Sequence, residues 1–208
     1  MNDDLSVLPH DLLWGMPVSA LAADAPQWAV EAVGLEHPVV VRRALAQHGM
    51  VAVGVRGPRR DQRYAALMRK ADIRRCVRPE QLTHRVGQQQ WPALAALEQV
   101  RPLMDSLALT WGVTGSAGFE LASGVAALHE QSDLDLIVLT PQFVSRDWAA
   151  EMVGMLDGAV CRVDVQLQTP FGALALREWA SNSRQVLLKS EPGAWLVTQP
   201  WAPAEACA

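Results

Sequence analysis

Cysteine is scarce. Cys76, Cys161 and Cys207 are the only three in 208 residues, too widely spaced for a zinc site and too few for a disulfide framework. Buried thiols and one tail thiol are what this leaves. Long apolar runs are missing as well: Leu134–Leu139 falls far short of the ~18 to 20 residues that span a bilayer. The acidic, polar start lacks the basic and apolar segments of a secretion signal, so a cytosolic protein is expected. Tyr and Phe are few, one and three, against eight Trp. Charged residues make up only 19%, below the usual share of about 25%, and half of the chain is apolar. A disordered tail is thereby excluded. What remains is a well-buried globular chain, with one sizeable core or two small packed domains around one ligand cleft.

Lysine is nearly absent, since sixteen of the eighteen basic residues are arginine, whose planar fork matches pairs of phosphate oxygens. The net charge of -4 conceals a division along the chain. Residues 1–38 hold six Asp or Glu and no Lys or Arg, residues 39–85 hold twelve basic residues against three acids, and residues 86–208 hold six against thirteen. The middle segment is a candidate for a compact phosphorylated ligand or an acidic protein partner, and a solvated basic surface has the same composition. Nucleic acid fits poorly. Tyr64 is the only aromatic in that segment available to stack on bases, and the acidic remainder would repel a phosphate backbone.

Hydrophobic periodicity predicts a strand over residues 38–41, a short helical turn over 42–48 and a second strand over 50–55. Tyr64, Leu67, Met68 and Ala71 stand at helical spacing and predict an amphipathic helix within residues 61–75, flanked by arginines. Pro79 and the run Gly87, Gln88, Gln89, Gln90 mark a boundary. The division expected is a small basic α/β domain over residues 1–85 and a catalytic domain over 86–208. In the second, the patterns predict a helix over 91–104, a strand over 107–113, a helix over 117–123 and a strand at Leu134–Leu139. A helix over 147–156, a strand over 160–168, a helix over 174–179 and a hairpin of 186–189 with 195–198 follow. The fold class is α/β, of mixed α+β kind.

Ser132-Asp133-Leu134-Asp135-Leu136 is the sharpest feature of the chain. Strand side chains alternate, so Asp133 and Asp135 point to one side, about 7 Å apart, at the end of a strand that is otherwise apolar. Two such carboxylates can hold hard divalent ions, and a shared Mg2+ would compensate charges that burial alone would penalise. Asp164 supplies a third acid on a later strand. Three acids around two metals suffice for nucleotidyl transfer, with one ion activating a hydroxyl and the other holding phosphate oxygens. Gly115 and Ser116 close the preceding strand, where glycine allows close backbone approach, serine can donate to a phosphate oxygen, and the adjoining helix start adds aligned N–H groups. No Gly-x-Ser-x-Gly elbow or Cys/His pairing suggests a covalent hydrolase.

Gly115-Ser116, Asp133-Leu134-Asp135 and Asp164 together resemble the DNA polymerase beta type nucleotidyltransferase superfamily. That resemblance implies a central mixed sheet with helices in the second domain. Gly115-Ser116-Ala117-Gly118-Phe119-Glu120 and Ser132-Asp133-Leu134-Asp135-Leu136 carry a closer likeness to the phosphoribosyl-dephospho-coenzyme A transferases, the holo-acyl-carrier-protein synthases of malonate decarboxylase. So do His10-Asp11-Leu12-Leu13-Trp14, Val53-Gly54-Val55-Arg56-Gly57 with Arg59, Gln62 and Arg63, residues 172–179, and Leu187-Leu188-Lys189. The likeness spans residues 10–195.

The resemblance implies transfer of a 5'-phosphoribosyl-3'-dephospho-CoA group from its 2'-(5''-triphosphoribosyl) precursor to a serine of the malonate decarboxylase acyl carrier protein, with diphosphate released. It assigns the triphosphate to Gly115 and Ser116, and Mg2+, with Mn2+ as a substitute, to Asp133 and Asp135. Asp164 is the third acid. Arg56, Arg59 and Arg63, clustered beside two glycines, are expected to contact donor phosphates or the acidic surface of the carrier. A nucleoside monophosphate transferase with another acceptor, and a silent carrier-binding protein, are the rival readings.

Overall fold

The computed structural model describes residues 6–87 and 89–203, so Cys207 and Gln88 lie outside the described residues. Two compact units divide the chain: residues up to Arg78 with Phe119–Ala127, and Pro79–Gly118 with residues 128 onward. The division thus falls after Arg78, ahead of the boundary expected at residue 85, and one later segment joins the first unit.

The first unit is built on an antiparallel sheet. Its strands are β1 (Leu12–Trp14), β2 (Val39–Val41), β3 (Met50–Arg56), β4 (Arg63–Arg69) and β5 (Arg75–Val77), in spatial order β4-β3-β2-β1-β5. Helix α1 (Gln27–Gly34) buries Ala29, Ala32 and Val33 in one cluster with Leu13, Val39, Val53, Val55 and Met68.

Residues 61–75 are not a helix. Met50↔Arg69 to Arg56↔Arg63 are in continuous antiparallel register, and along β4 Tyr64, Ala66 and Met68 turn inward while Arg63, Ala65, Leu67 and Arg69 stay exposed. Tyr64 and Met68, four apart, satisfy both periods, whereas Leu67 fits only the helical one. Seven cross-strand pairs with β3 decide for the strand, since a short isolated helix is marginal in water. Residues 42–48 likewise form bends and a turn instead of a helical turn. Met68 is completely buried. Met68→Ala is expected to cost about 3 kcal/mol of stability, within the usual range for such cavities, as read by denaturant unfolding.

The second unit carries a six-stranded mixed sheet, in order β11-β10-β9-β8-β7-β6. Its elements are α2 (Pro92–Ser106), β6 (Trp111–Val113), α3 (Gly115–Ser123), β7 (Leu134–Leu139), α4 (Arg146–Leu156), β8 (Val163–Thr169), β9 (Gly172–Ala175), α5 (Leu176–Ala180), β10 (Val186–Lys189) and β11 (Ala194–Val197). β7 and β8 pair in parallel, as a strand, crossover helix, strand unit requires, and the other neighbours are antiparallel. Proline opens α2 at its first position, where its missing N–H costs nothing, and Ala93, Leu94, Leu97, Val100 and Met104 bury one face.

Several boundaries differ from the sequence expectation, among them the start of β8, at Val163 and not residue 160. The strand predicted over 107–113 begins only at Trp111, because α2 runs on to Ser106 and Ala108 turns at φ 54. The helix predicted over 174–179 begins as strand: Gly172–Ala175 pairs with β8 before α5 starts at Leu176. Among the described residues no helix is long and apolar enough to cross a membrane.

Candidate active site

β6, α3, β7 and β8 position the candidate residues. The strand β6 ends at Val113, and the Thr114 N–H donates to the Asp135 carbonyl at 2.9 Å, which docks the following turn beside β7. Gly115 then adopts φ +61, left-handed territory where a side chain is penalised. A Cβ here would overlap the Asp135 carboxylate, meeting Oδ2 first and Cγ at 2.6 Å. Glycine is thus required twice, by the backbone and by the approach. Ser116 follows in the first turn of α3, and the Gly118 N–H returns to the Thr114 carbonyl at 2.8 Å.

The register of β7 with β8 settles where the third acid lies. Asp135 and Asp164 are direct Cα partners in the parallel ladder, so their side chains leave the same face of the sheet. Asp133 precedes β7, and its charge is felt by both Cys161 and Arg162. Among the described residues no group of three His, Cys, Asp or Glu is gathered closely enough to hold a metal ion by itself. Two carboxylates completed by substrate phosphates nevertheless suit Mg2+, which seldom takes an all-protein cage.

Two arginines surround Asp164 that motif reasoning missed. Arg162 Nε donates to both carboxylate oxygens, at 2.9 and 3.0 Å, and Arg177 Nε stands 3.9 Å from Oδ1, too far to donate. Arg177 also donates to Asp157 Oδ1 at 2.7 Å. The Arg162-x-Asp164 alternation was the available signal, because residues two apart on an extended chain share a face. The hydrogen bond to Asp164, and then its charge, raise the Arg162 guanidinium above its ordinary value, with Asp133 adding to the effect. Cys161 is half-buried nearby. Burial pushes its thiol up, the Leu134 backbone opposes this, and the Asp133 charge adds to it. A protonated thiol is a poor nucleophile, which agrees with the lack of a Cys/His pairing in the sequence.

Residues 81–200 match the C-terminal domain of phosphoribosyl-dephospho-CoA transferase MdcG, and residues 8–79 match its N-terminal domain. The chain belongs to this family. A phosphoribosyl-dephospho-CoA transferase of Pseudomonas syringae pv. tomato is 60% identical over 204 residues, covering 97% of either chain. Relatives of that name from Pseudomonas putida strain GB-1 and Pseudomonas aeruginosa are 57% and 48% identical, covering 96% and 95% of this chain and 98% and 95% of their own. No solved structure matches. The two matched domains meet next to the Arg78/Pro79 division of the structure.

Within this family member the three expected phosphate arginines all lie in the first unit. Arg56 donates to the Ala127 carbonyl at 3.1 Å and lies over the Phe119 ring, 5.4 Å from its centroid. Arg59 is exposed and paired with Asp61 at 3.1 Å. Arg63 donates to the Gln62 carbonyl at 2.9 Å. Glu120, one turn along α3 from Ser116, accepts from the Ala127 N–H at 2.7 Å and so closes the turn after the helix. Trp111 is core, buried with its indole N–H on Asp105 at 3.0 Å. His129 belongs to the loop before Asp133, where its Nδ1 accepts from the Gln131 N–H.

Proposed function

We propose that the chain transfers the 5'-phosphoribosyl-3'-dephospho-CoA group from 2'-(5''-triphosphoribosyl)-3'-dephospho-CoA to a serine of the malonate decarboxylase acyl carrier protein, releasing diphosphate. The observation that carries the assignment of the site is the placement of Asp135 against Gly115 and level with Asp164 on one sheet face. Gly115 and Ser116, at the head of α3, hold the donor triphosphate through backbone N–H groups and the Ser116 hydroxyl. The carrier serine oxygen attacks the phosphorus next to the ribose. Its bond to that phosphorus forms as the bond to the departing diphosphate breaks, and the hydroxyl proton is lost.

Asp133 and Asp135 hold Mg2+ or Mn2+ in this reading. When bound, the ion offsets charge developing on the phosphate oxygens. Asp164 would join as a third ligand through lone pairs that Arg162 Nε leaves free on its two oxygens. Arg56, Arg59 and Arg63 are assigned to binding of the two charged substrates, a role favoured by the excess of arginine in residues 39–85.

Mass analysis of the apo carrier, after incubation with the donor, Mg2+ and this protein, is the test. A gain equal to the prosthetic group is expected, falling about a hundredfold or more with a strong chelator and returning with Mg2+ or Mn2+. Incorporation from ATP with none from the CoA precursor would instead establish a nucleoside monophosphate transferase. Carrier binding with no diphosphate released, metal present, would leave only a binding protein.

A further inference from the structure

The five-stranded sheet of the first unit has two unlike faces. One packs against α1 through Leu13, Val53, Val55 and Met68. On the other, the β3 and β4 register sets Arg56 across from Arg63, Gly54 across from Ala65, Ala52 across from Leu67 and Met50 across from Arg69. Strand alternation turns all of these away from α1. Arg42 belongs to the same face, since a Cβ on Gly54 would lie 3.5 Å from the Arg42 Cδ. The arginine stem therefore crosses over Gly54.

Charge on this face is only partly compensated. Arg69 is paired with Asp72 at 2.9 Å and Arg59 with Asp61 at 3.1 Å. Among the described residues no carboxylate pairs with Arg42, Arg60 or Arg63, all three exposed. Burial, and then the neighbouring Arg60 charge, lower the Arg63 guanidinium from its ordinary value. Like charges this close cost stability unless an anion joins them.

The form of the patch says which anion. Arg63 opens β4, and four residues along the same face, about 13 Å away, stands Leu67, 42% exposed, so the patch sets an uncompensated charge beside an apolar side chain. A wholly polar phosphate chain gains nothing from a leucine, whereas a protein surface with carboxylates around an apolar side chain gains from both.

We propose that the face of β3 and β4 turned away from α1 docks an acidic surface of the acceptor carrier protein, whose carboxylates meet Arg42, Arg60 and Arg63 and whose apolar side chain covers Leu67. The identity of the partner rests on the transfer reading above. The docking itself does not depend on the chemistry, because it lies in the charge and shape of one face.

The test uses the full chain and the apo carrier of malonate decarboxylase. Arg42→Glu with Arg60→Glu, and separately Leu67→Asp, are expected to raise the KM for carrier about tenfold or more, with the loss falling on that KM and not on the KM for donor. Calorimetric binding of the carrier without donor should weaken by the same factor. Arg42→Lys with Arg60→Lys keeps the charge and should retain most of the affinity, which separates docking from misfolding. Rising salt should weaken carrier binding by the wild type more than by the Glu variant. Carrier affinity within twofold of wild type in both folded variants would overturn the proposal and leave the arginines as guards of an edge strand. A donor KM rising in step with the carrier KM would also overturn it, by placing donor phosphates there. If the wild type binds carrier through this face yet transfers nothing, the transfer reading fails and the docking stands.

Discussion

Asp135→Asn is expected to lower kcat for transfer by about a thousandfold or more while leaving the fold as stable as before. The carboxylate is placed where charge on the donor phosphates would be met, and groups aimed at developing charge contribute more than any others to transfer chemistry. Its backbone role survives the change, because the Thr114 N–H bonds the Asp135 carbonyl and not its side chain. Asparagine has the same shape. It also removes one of two like charges standing opposite each other in the β7 and β8 ladder, so stability should hold within about 1 kcal/mol or rise. Diphosphate release, carrier mass and a thermal melt of the same preparation are the three readouts. Activity within tenfold of wild type would remove Asp135 from the site.

Gly115→Ala should damage both properties together. Alanine at φ +61 costs about 1 kcal/mol for the backbone alone, and its methyl group must displace the Asp135 carboxylate, so a total of about 2 kcal/mol or more is expected. The kcat should fall about a hundredfold, because the acid and the head of α3 are pushed apart. Gly124→Ala is the control. Gly124 has φ +73 with nothing within 4 Å of the added carbon, so it carries the backbone cost without the collision. Equal kinetic losses in both variants would show that the contact with Asp135 is immaterial.

The candidate site was more legible in the sequence than the first domain was. Gly115, Ser116, Asp133 and Asp135 lie at ends of elements whose patterns are strong over short windows, the apolar run of β7 and the small residues opening α3. Arg177 escaped because nothing in a motif marks an arginine on a helix that stands near an acid of another strand, and Arg162 because its alternation with Asp164 is a signal that a motif search passes over. In the first domain Tyr64, Leu67 and Met68 stand at helical spacing, and local pattern alone selects the wrong element, because the strand puts Leu67 on the face opposite the other two.

Alternation, turn residues and charge order are local properties, and from them the chain's amino acids alone determined the presence of two domains, the acid pair at the head of β7 and the basic character of residues 39–85. Register is not local. Only pairing between strands decided that residues 63–69 extend along β3, that Asp164 stands level with Asp135, and that Arg42 and Leu67 share one face. A strand shifted by one residue keeps its composition and turns every side chain to the opposite side, so which faces meet is settled by tertiary packing.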